Sequence, residues 1–183
     1  MARGESKRRV FLIGFMGAGK TSVGQALARK LGWSFRDLDR MIETREQKTV
    51  AEIFAALGEA GFRAAESAVL TELLQEGGSP HDLVIALGGG TFAQAANRDA
   101  LLKANAMTIL LEAPLHELQR RCTNDATVRP LALQEARFTE LYQQRQQAYS
   151  LARQRVETSG KTVDEVAQEL ARILAEAMPE VRK

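Results

Sequence analysis

The sequence predicts an α/β fold: a parallel sheet covered by helices on both faces. Three observations carry this. Short apolar runs recur at residues 10–13, 33–35, 83–87, 107–111 and around 155–157, with helical patterns between them. Strands that alternate with helices pair in parallel, because each return needs a crossover. The first run also breaks into a glycine loop that leads directly into a helix. A chain of 183 residues with 45% apolar content fits one domain with one core, spanning residues 1–183.

The elements follow in order. Residues 1–8 read as a flexible tail, and Lys7-Arg8-Arg9 as its solvated basic end. A helix over 20–31 follows the first strand, with Val23, Leu27 and Leu31 spaced by four and Gly32 after its end. Residues 38–76 place several helices between the second and third strands and read as an insertion. Within it, Thr49-Val-Ala-Glu52 is a capping box for a helix over 50–57. An amphipathic helix over 59–75 stops at Gly77-Gly78. A helix over 114–122 starts with proline in its first turn. The polar stretch 123–133 reads as a mobile lid, since closure would keep water from competing with an acceptor. Helices over 134–153 and 163–178 complete the pattern.

Residues 10–22, VFLIGFMGAGKTS, are the most informative stretch. Gly14, Gly19, Lys20 and Thr21 satisfy G-x-x-x-x-G-K-[ST] after a strand. Backbone N–H groups around Gly17 and Gly19 can cradle phosphate oxygens, and the positive end of the following helix faces the same anion. Lys20 reaches β- and γ-phosphates in this pattern, and the Thr21 hydroxyl, followed by Ser22, ligates Mg²⁺. Phe15, Met16 and Ala18 read as loop fillers. The loop predicts phosphate binding but leaves the acceptor open: water, protein, nucleotide or small molecule.

Composition narrows the alternatives. A net charge of +2 gives no basic or acidic excess for nucleic acid or a membrane. Cys122 is the single cysteine, so a disulfide framework is excluded. His81 and His116 lack zinc-ligand spacing and read as surface or loop positions. The first apolar run is too short for a signal peptide, and no stretch approaches a membrane span. A cytoplasmic protein is expected.

Phe35-Arg-Asp37-Leu-Asp39 follows the second strand. On an extended chain residues two apart share a face. Both carboxylates could then face the cleft beyond the strand ends, where ligands bind in such sheets. One suits Mg²⁺ through water, the other a hydroxyl about to attack phosphorus. The alternative is a helix cap, which also favours negative charge. Arg63, Arg129 and Arg145 suit carboxylate or phosphate, but sequence spacing alone does not bring them together.

The chain resembles the shikimate kinases over nearly its full length. The family's opening motif is similar to Gly14-Phe-Met-Gly-Ala-Gly-Lys-Thr21 with Val23-Gly24, and its aspartate motif to Phe35-Arg-Asp37-Leu-Asp39 with Ile42-Glu43. Gly58-Glu-Ala-Gly-Phe62-Arg63-Ala-Ala-Glu66 resembles G-E-x-x-F-R-x-x-E. Leu87-Gly88-Gly89-Gly90 resembles its glycine triplet, Thr127-Val-Arg129-Pro130-Leu131 its lid, and Arg145 with Tyr149 its R-x-x-x-Y helix.

The resemblance implies a three-layer α/β/α P-loop kinase with a five-stranded parallel sheet in order 2-3-1-4-5, a substrate-binding insertion over about 38–76 and a lid over about 123–134. It implies transfer of phosphate from ATP, with Mg²⁺, to the 3-hydroxyl of shikimate. The catalytic residues would be Lys20, Asp39 and Arg129. Asp39, Arg63, Gly88, Gly89, Gly90 and Arg145 would bind shikimate, with both arginines on its carboxylate. Gly17, Ala18, Gly19, Lys20, Thr21, Ser22 and Arg129 would hold the phosphates. Arg121 would lie against the adenine, with residues 158–161, including Ser159, on its other side. Thr21 would ligate Mg²⁺, and Asp37 would reach it through water. A monomer is expected, with no nucleic-acid or membrane partner.

Two departures stand out. Lys-Thr replaces the common Lys-Ser, and the lid reads R-P-L-A where R-P-L-L is frequent, which removes an apolar contact. The rivals are a gluconate-type small-molecule kinase and a sensing module of the same fold without turnover. Such modules normally carry a fused DNA-binding segment, whereas nine residues precede the first strand here.

Overall fold

The computed structural model describes residues 8–76, 82–124 and 135–178. Its strands are β1 (Arg9–Ile13), β2 (Ser34–Asp37), β3 (Leu83–Ala86), β4 (Met107–Glu112) and β5 (Gln154–Glu157). Its helices are α1 (Lys20–Leu31), α2 (Leu38–Glu46), α3 (Val50–Gln75), α4 (Ala95–Lys103), α5 (Leu115–Asn124), α6 (Glu135–Tyr149) and α7 (Val163–Ala177).

The five strands form one parallel sheet in the order β2-β3-β1-β4-β5. Leu12 of β1 pairs with Ala86 on one side and Ile109 on the other. Val10, Phe11, Leu12 and Ile13 are each at most 1% exposed. Successive side chains of a strand point to opposite faces, so helices must cover both faces of the sheet. β3 and most of β4 are buried in the same way, whereas edge strand β5 buries Val156 alone. Around the sheet, α1 packs on α7, α3 on α2 and α4, and α5 on α6.

Local chemistry explains the boundaries. Gly32 ends α1 in the left-handed conformation, and its N–H closes onto Ala28 and Arg29 carbonyls. The Thr49 and Glu52 side chains cap α3 reciprocally, and Thr162 and Glu165 do the same for α7. The insertion holds α2 and α3. Gly58 breaks α3 with φ 66° and ψ −174°, which separates the two predicted helices.

The structure corrects four expectations. Arg8 and Arg9 are not a solvated tail. Arg8 pairs with Asp82 and lies over the Trp33 ring at 5.1 Å. Arg9 opens β1 and donates to the Leu73, Leu74 and Glu76 carbonyls, which satisfies orphan acceptors at the end of α3. The second strand runs over Ser34–Asp37 and excludes Trp33, whose N–H bonds back to Ala28. Helix α4 has no counterpart in the sequence reading. Its cap residue Gln94 makes no side-chain cap bond, and only Asn97 and Leu101 are buried, so it carries almost no amphipathic signal. Pro114 precedes α5 as its last non-helical residue and accepts from the Glu117 and Leu118 N–H groups.

Candidate active site

The glycine loop joins the end of β1 to the start of α1. Gly17 and Gly19 take φ of 80° and 85°, a conformation that side-chain-bearing residues rarely adopt. The apolar loop residues point inward: Phe15 and Ala18 are 1% exposed. The Phe15 ring packs edge-on against Phe138 and Tyr142 at 5.0 and 5.3 Å. The Ala18 N–H donates to the Phe15 carbonyl at 3.2 Å and closes the loop. Lys20 folds back across it, its Nζ donating to the Gly14 and Phe15 carbonyls at 2.9 and 3.1 Å. Its ammonium therefore stands inside the ring of backbone that would surround a phosphate.

Asp37 and Asp39 reach the site differently from the extended geometry. Asp37 ends β2 and caps α2: its Oδ1 accepts from the Asp39 and Arg40 N–H groups at 3.1 and 3.5 Å. Its Oδ2 accepts from the Thr21 hydroxyl at 2.8 Å. Asp39 lies in the first turn of α2. The cap and the cleft position are one geometry, because β2 ends beside Thr21, in the first turn of α1.

The glycine triplet after β3 meets side chains from three helices, α2, α3 and α6. A Cβ on Gly88 would lie 2.7 Å from Asp39 Oδ1, one on Gly89 3.1 Å from an Arg145 nitrogen, and one on Gly90 2.6 Å from an Arg63 nitrogen. Each glycine thus makes room for one of the three functional groups. Glu66, fully buried, ties the cluster together. It accepts from Arg63 at 3.0 Å, from the Thr91 hydroxyl at 2.5 Å and from the Gln94 amide. Arg145 also lies over the Phe15 ring at 5.4 Å, which joins the triplet to the phosphate loop.

Tyr149 supports the triplet from below, its hydroxyl donating to the Gly89 carbonyl at 2.6 Å. Burial pushes its phenol up from 10 to about 12, and the Arg145 charge beside it opposes the rise. The folded pKa lies above the unfolded one. The native state therefore holds the proton through this interval, and stability falls as pH rises from about 10 to about 12. Urea unfolding of wild type and Tyr149→Phe across that window is expected to show a shallower pH slope in the variant. Identical slopes would contradict the assignment.

On the other side of the loop, Arg121 of α5 donates to the Gly17 carbonyl at 3.4 Å, the Thr158 hydroxyl at 2.9 Å, the Thr158 carbonyl at 3.0 Å and Glu117 at 2.7 Å. Ser159 also donates to Glu117. That bond, then the Arg121 guanidinium, hold the Glu117 carboxyl below its ordinary value against the opposing effect of burial.

A cavity of about 790 Å³ runs between the two sides. Of the predicted residues it is lined by Gly17, Gly19, Lys20, Thr21, Ser22, Asp37, Asp39, Gly88, Gly89 and Arg121. Arg63, Gly90 and Arg145 stand behind this lining in the triplet cluster, and Ser159 connects through Glu117. Ala18 turns its side chain into the core. Arg129 and most of the expected lid lie outside the described residues. Sequence reasoning gave no role to Arg40, Glu43 and Cys122, which also line the cavity, or to Glu66, Tyr149 and Glu117, which hold Arg63, Gly89 and Arg121. Glu66 and Tyr149 sit inside the quoted motifs, and Glu117 is four residues before Arg121, the spacing of a helical ion pair.

The strand order and the loop that embraces Lys20 place the chain among the P-loop kinases. Its family is narrower. The family model for shikimate kinase matches residues 16–175, and the chain belongs to that family. The shikimate kinase of Persephonella marina is 36% identical over 163 residues, covering 89% of this chain and 96% of that one. That of Halorhodospira halophila is 40% identical over 178 residues, covering 95% and 97%. Among solved structures, the shikimate kinase of Acinetobacter baumannii in complex with shikimate superposes with a TM-score of 0.83 at 34% identity, over 95% of this chain and 96% of that one. A gluconokinase from Sinorhizobium meliloti has a TM-score of 0.59 at 18% identity and shares the fold.

Proposed function

We propose that this protein transfers the γ-phosphoryl group of ATP to the 3-hydroxyl of shikimate, giving shikimate 3-phosphate and ADP on the route to chorismate and the aromatic amino acids. The observation that carries this reading is the glycine triplet. It seats Asp39, Arg145 and Arg63 one to a residue, beside the phosphate loop. An anionic polyol suits such a cluster, because two guanidinium groups can hold a carboxylate while one carboxylate accepts from hydroxyls.

The donor side fits a nucleotide triphosphate. Gly17, Gly19, Lys20, Thr21 and Ser22 line one wall of the cavity, and Arg121 stands at its rim. The paired Thr21 hydroxyl and Asp37 carboxylate are hard oxygen donors, the type Mg²⁺ selects, with Asp37 acting through water. Bound Mg²⁺ would neutralise phosphate charge and polarise the transferring group.

The chain's own residues supply the rest. Arg63 and Arg145 orient the substrate carboxylate, and the Gly88–Gly90 backbone lets the ring approach. Asp39 accepts from the attacking hydroxyl and takes its proton as the bond to phosphorus forms. Lys20 and Arg129, the latter outside the described residues, stabilise the charge spread over the transferring phosphoryl oxygens. The expected lid over about 123–134 lies mostly outside the described residues, and the insertion of about 38–76 carries the acceptor. The protein acts as a cytoplasmic monomer on small molecules, without nucleic-acid or membrane partners. Among the described residues no helix is long and apolar enough to cross a membrane.

A coupled assay of ADP release tests this. Turnover with shikimate and none with gluconate is expected. Turnover with gluconate alone would overturn the reading. Shikimate binding without ADP release would favour the sensing module.

A further inference from the structure

We propose that Glu117 is the positioning residue of the nucleotide-base site, bracing Arg121 and Ser159 on opposite sides of the base with one carboxylate. The inference rests on the reading above, in which Arg121 lies against the adenine and the loop after β5 borders its other side.

Glu117 is buried although ionisable, so its position needs compensating partners. It has two, from separate elements. Oε1 accepts from Arg121 at 2.7 Å, one turn further along α5, and Oε2 accepts from the Ser159 hydroxyl beyond β5. Arg120, one residue earlier, is 4.0 Å away and 70% exposed, so the brace selects Arg121.

The remaining bonds of Arg121 go to neutral acceptors: the Thr158 hydroxyl and carbonyl and the Gly17 carbonyl. Glu117 is therefore the charged anchor among them, and a charge-assisted bond is roughly twice as strong as a neutral one. Thr158 is itself fixed, donating from its N–H and its hydroxyl to the Glu112 carbonyl at 2.8 and 3.0 Å. One carboxylate thus holds the guanidinium plane on α5 and the loop after β5 in register with the phosphate loop. Groups ordered before binding lose less entropy when the base arrives.

The prediction is selective for the base. Glu117→Ala should weaken ADP binding about tenfold, the scale of one charge-assisted bond, and Glu117→Gln should fall between it and wild type. Tripolyphosphate, which has no base, should bind both variants as it binds wild type. ADP would be titrated calorimetrically, and tripolyphosphate measured by displacement of a fluorescent ADP. A carboxylate that only stabilised the fold would not separate the two ligands. Unchanged ADP affinity in Glu117→Ala, or an equal loss for both ligands in both variants, would overturn the proposal. ADP binding needs no acceptor, so these outcomes stay distinct from a failure of the shikimate assignment.

Discussion

Asp39→Asn is expected to lower kcat by about 10²- to 10⁴-fold, the range of a general base, and to leave ADP affinity within about twofold. The asparagine keeps the shape of the aspartate and its place in the first turn of α2. It removes the charge and one acceptor position facing the hydroxyl. The Asp39 carboxylate packs closely against Gly88, where a Cβ would come within 2.7 Å of Oδ1. The donor side makes its contacts elsewhere. Steady-state kinetics and ADP titration of one preparation check both halves. Near-normal turnover in the variant would remove Asp39 from the chemistry.

Lys20→Met should give the opposite dissociation. Its ammonium rests on the Gly14 and Phe15 carbonyls in the centre of the loop. Methionine keeps an apolar stem and loses the charge. Turnover is expected to fall about 10²- to 10³-fold, because the lysine, in the proposed role, would stabilise charge that develops in the transition state. ATP affinity falls with it, while shikimate affinity, measured in the absence of nucleotide, is expected to stay within about twofold. Loss of shikimate affinity equal to the loss of ATP affinity would mean that the lysine holds the whole cavity together.

The two variants act on parts that differ in how they are written in the sequence. The donor half is contiguous. Gly14 to Thr21 encode strand end, loop and helix start in one stretch, so its chemistry is legible from spacing. The acceptor half is assembled. Asp39 sits on α2, Arg63 on α3 and Arg145 on α6, and no periodicity reports that three successive glycines after β3 each face one of them. The resemblance to a family named those residues, while the packing that unites them is tertiary. Glu66 and Tyr149 act across 25 and 60 residues of chain, which is why their roles do not show in local pattern.

The differences have the same cause. Arg8 and Arg9 read as a solvated cluster because their partners, Asp82 and the end of α3, are remote in sequence. Helix α4 escapes notice because packing, not its own caps, holds it. The spacing of Asp37 and Asp39 put both on the cavity, although one ends a strand and the other begins a helix.

Phosphorus and proton NMR of the product test directly whether the phosphate loop and the triplet cluster form one site that transfers phosphate from ATP to a single hydroxyl. The expected spectrum shows one phosphorylated product, with phosphorus coupled to the ring proton at the 3-position of shikimate. Phosphate on a different hydroxyl, or inorganic phosphate alone, would contradict it.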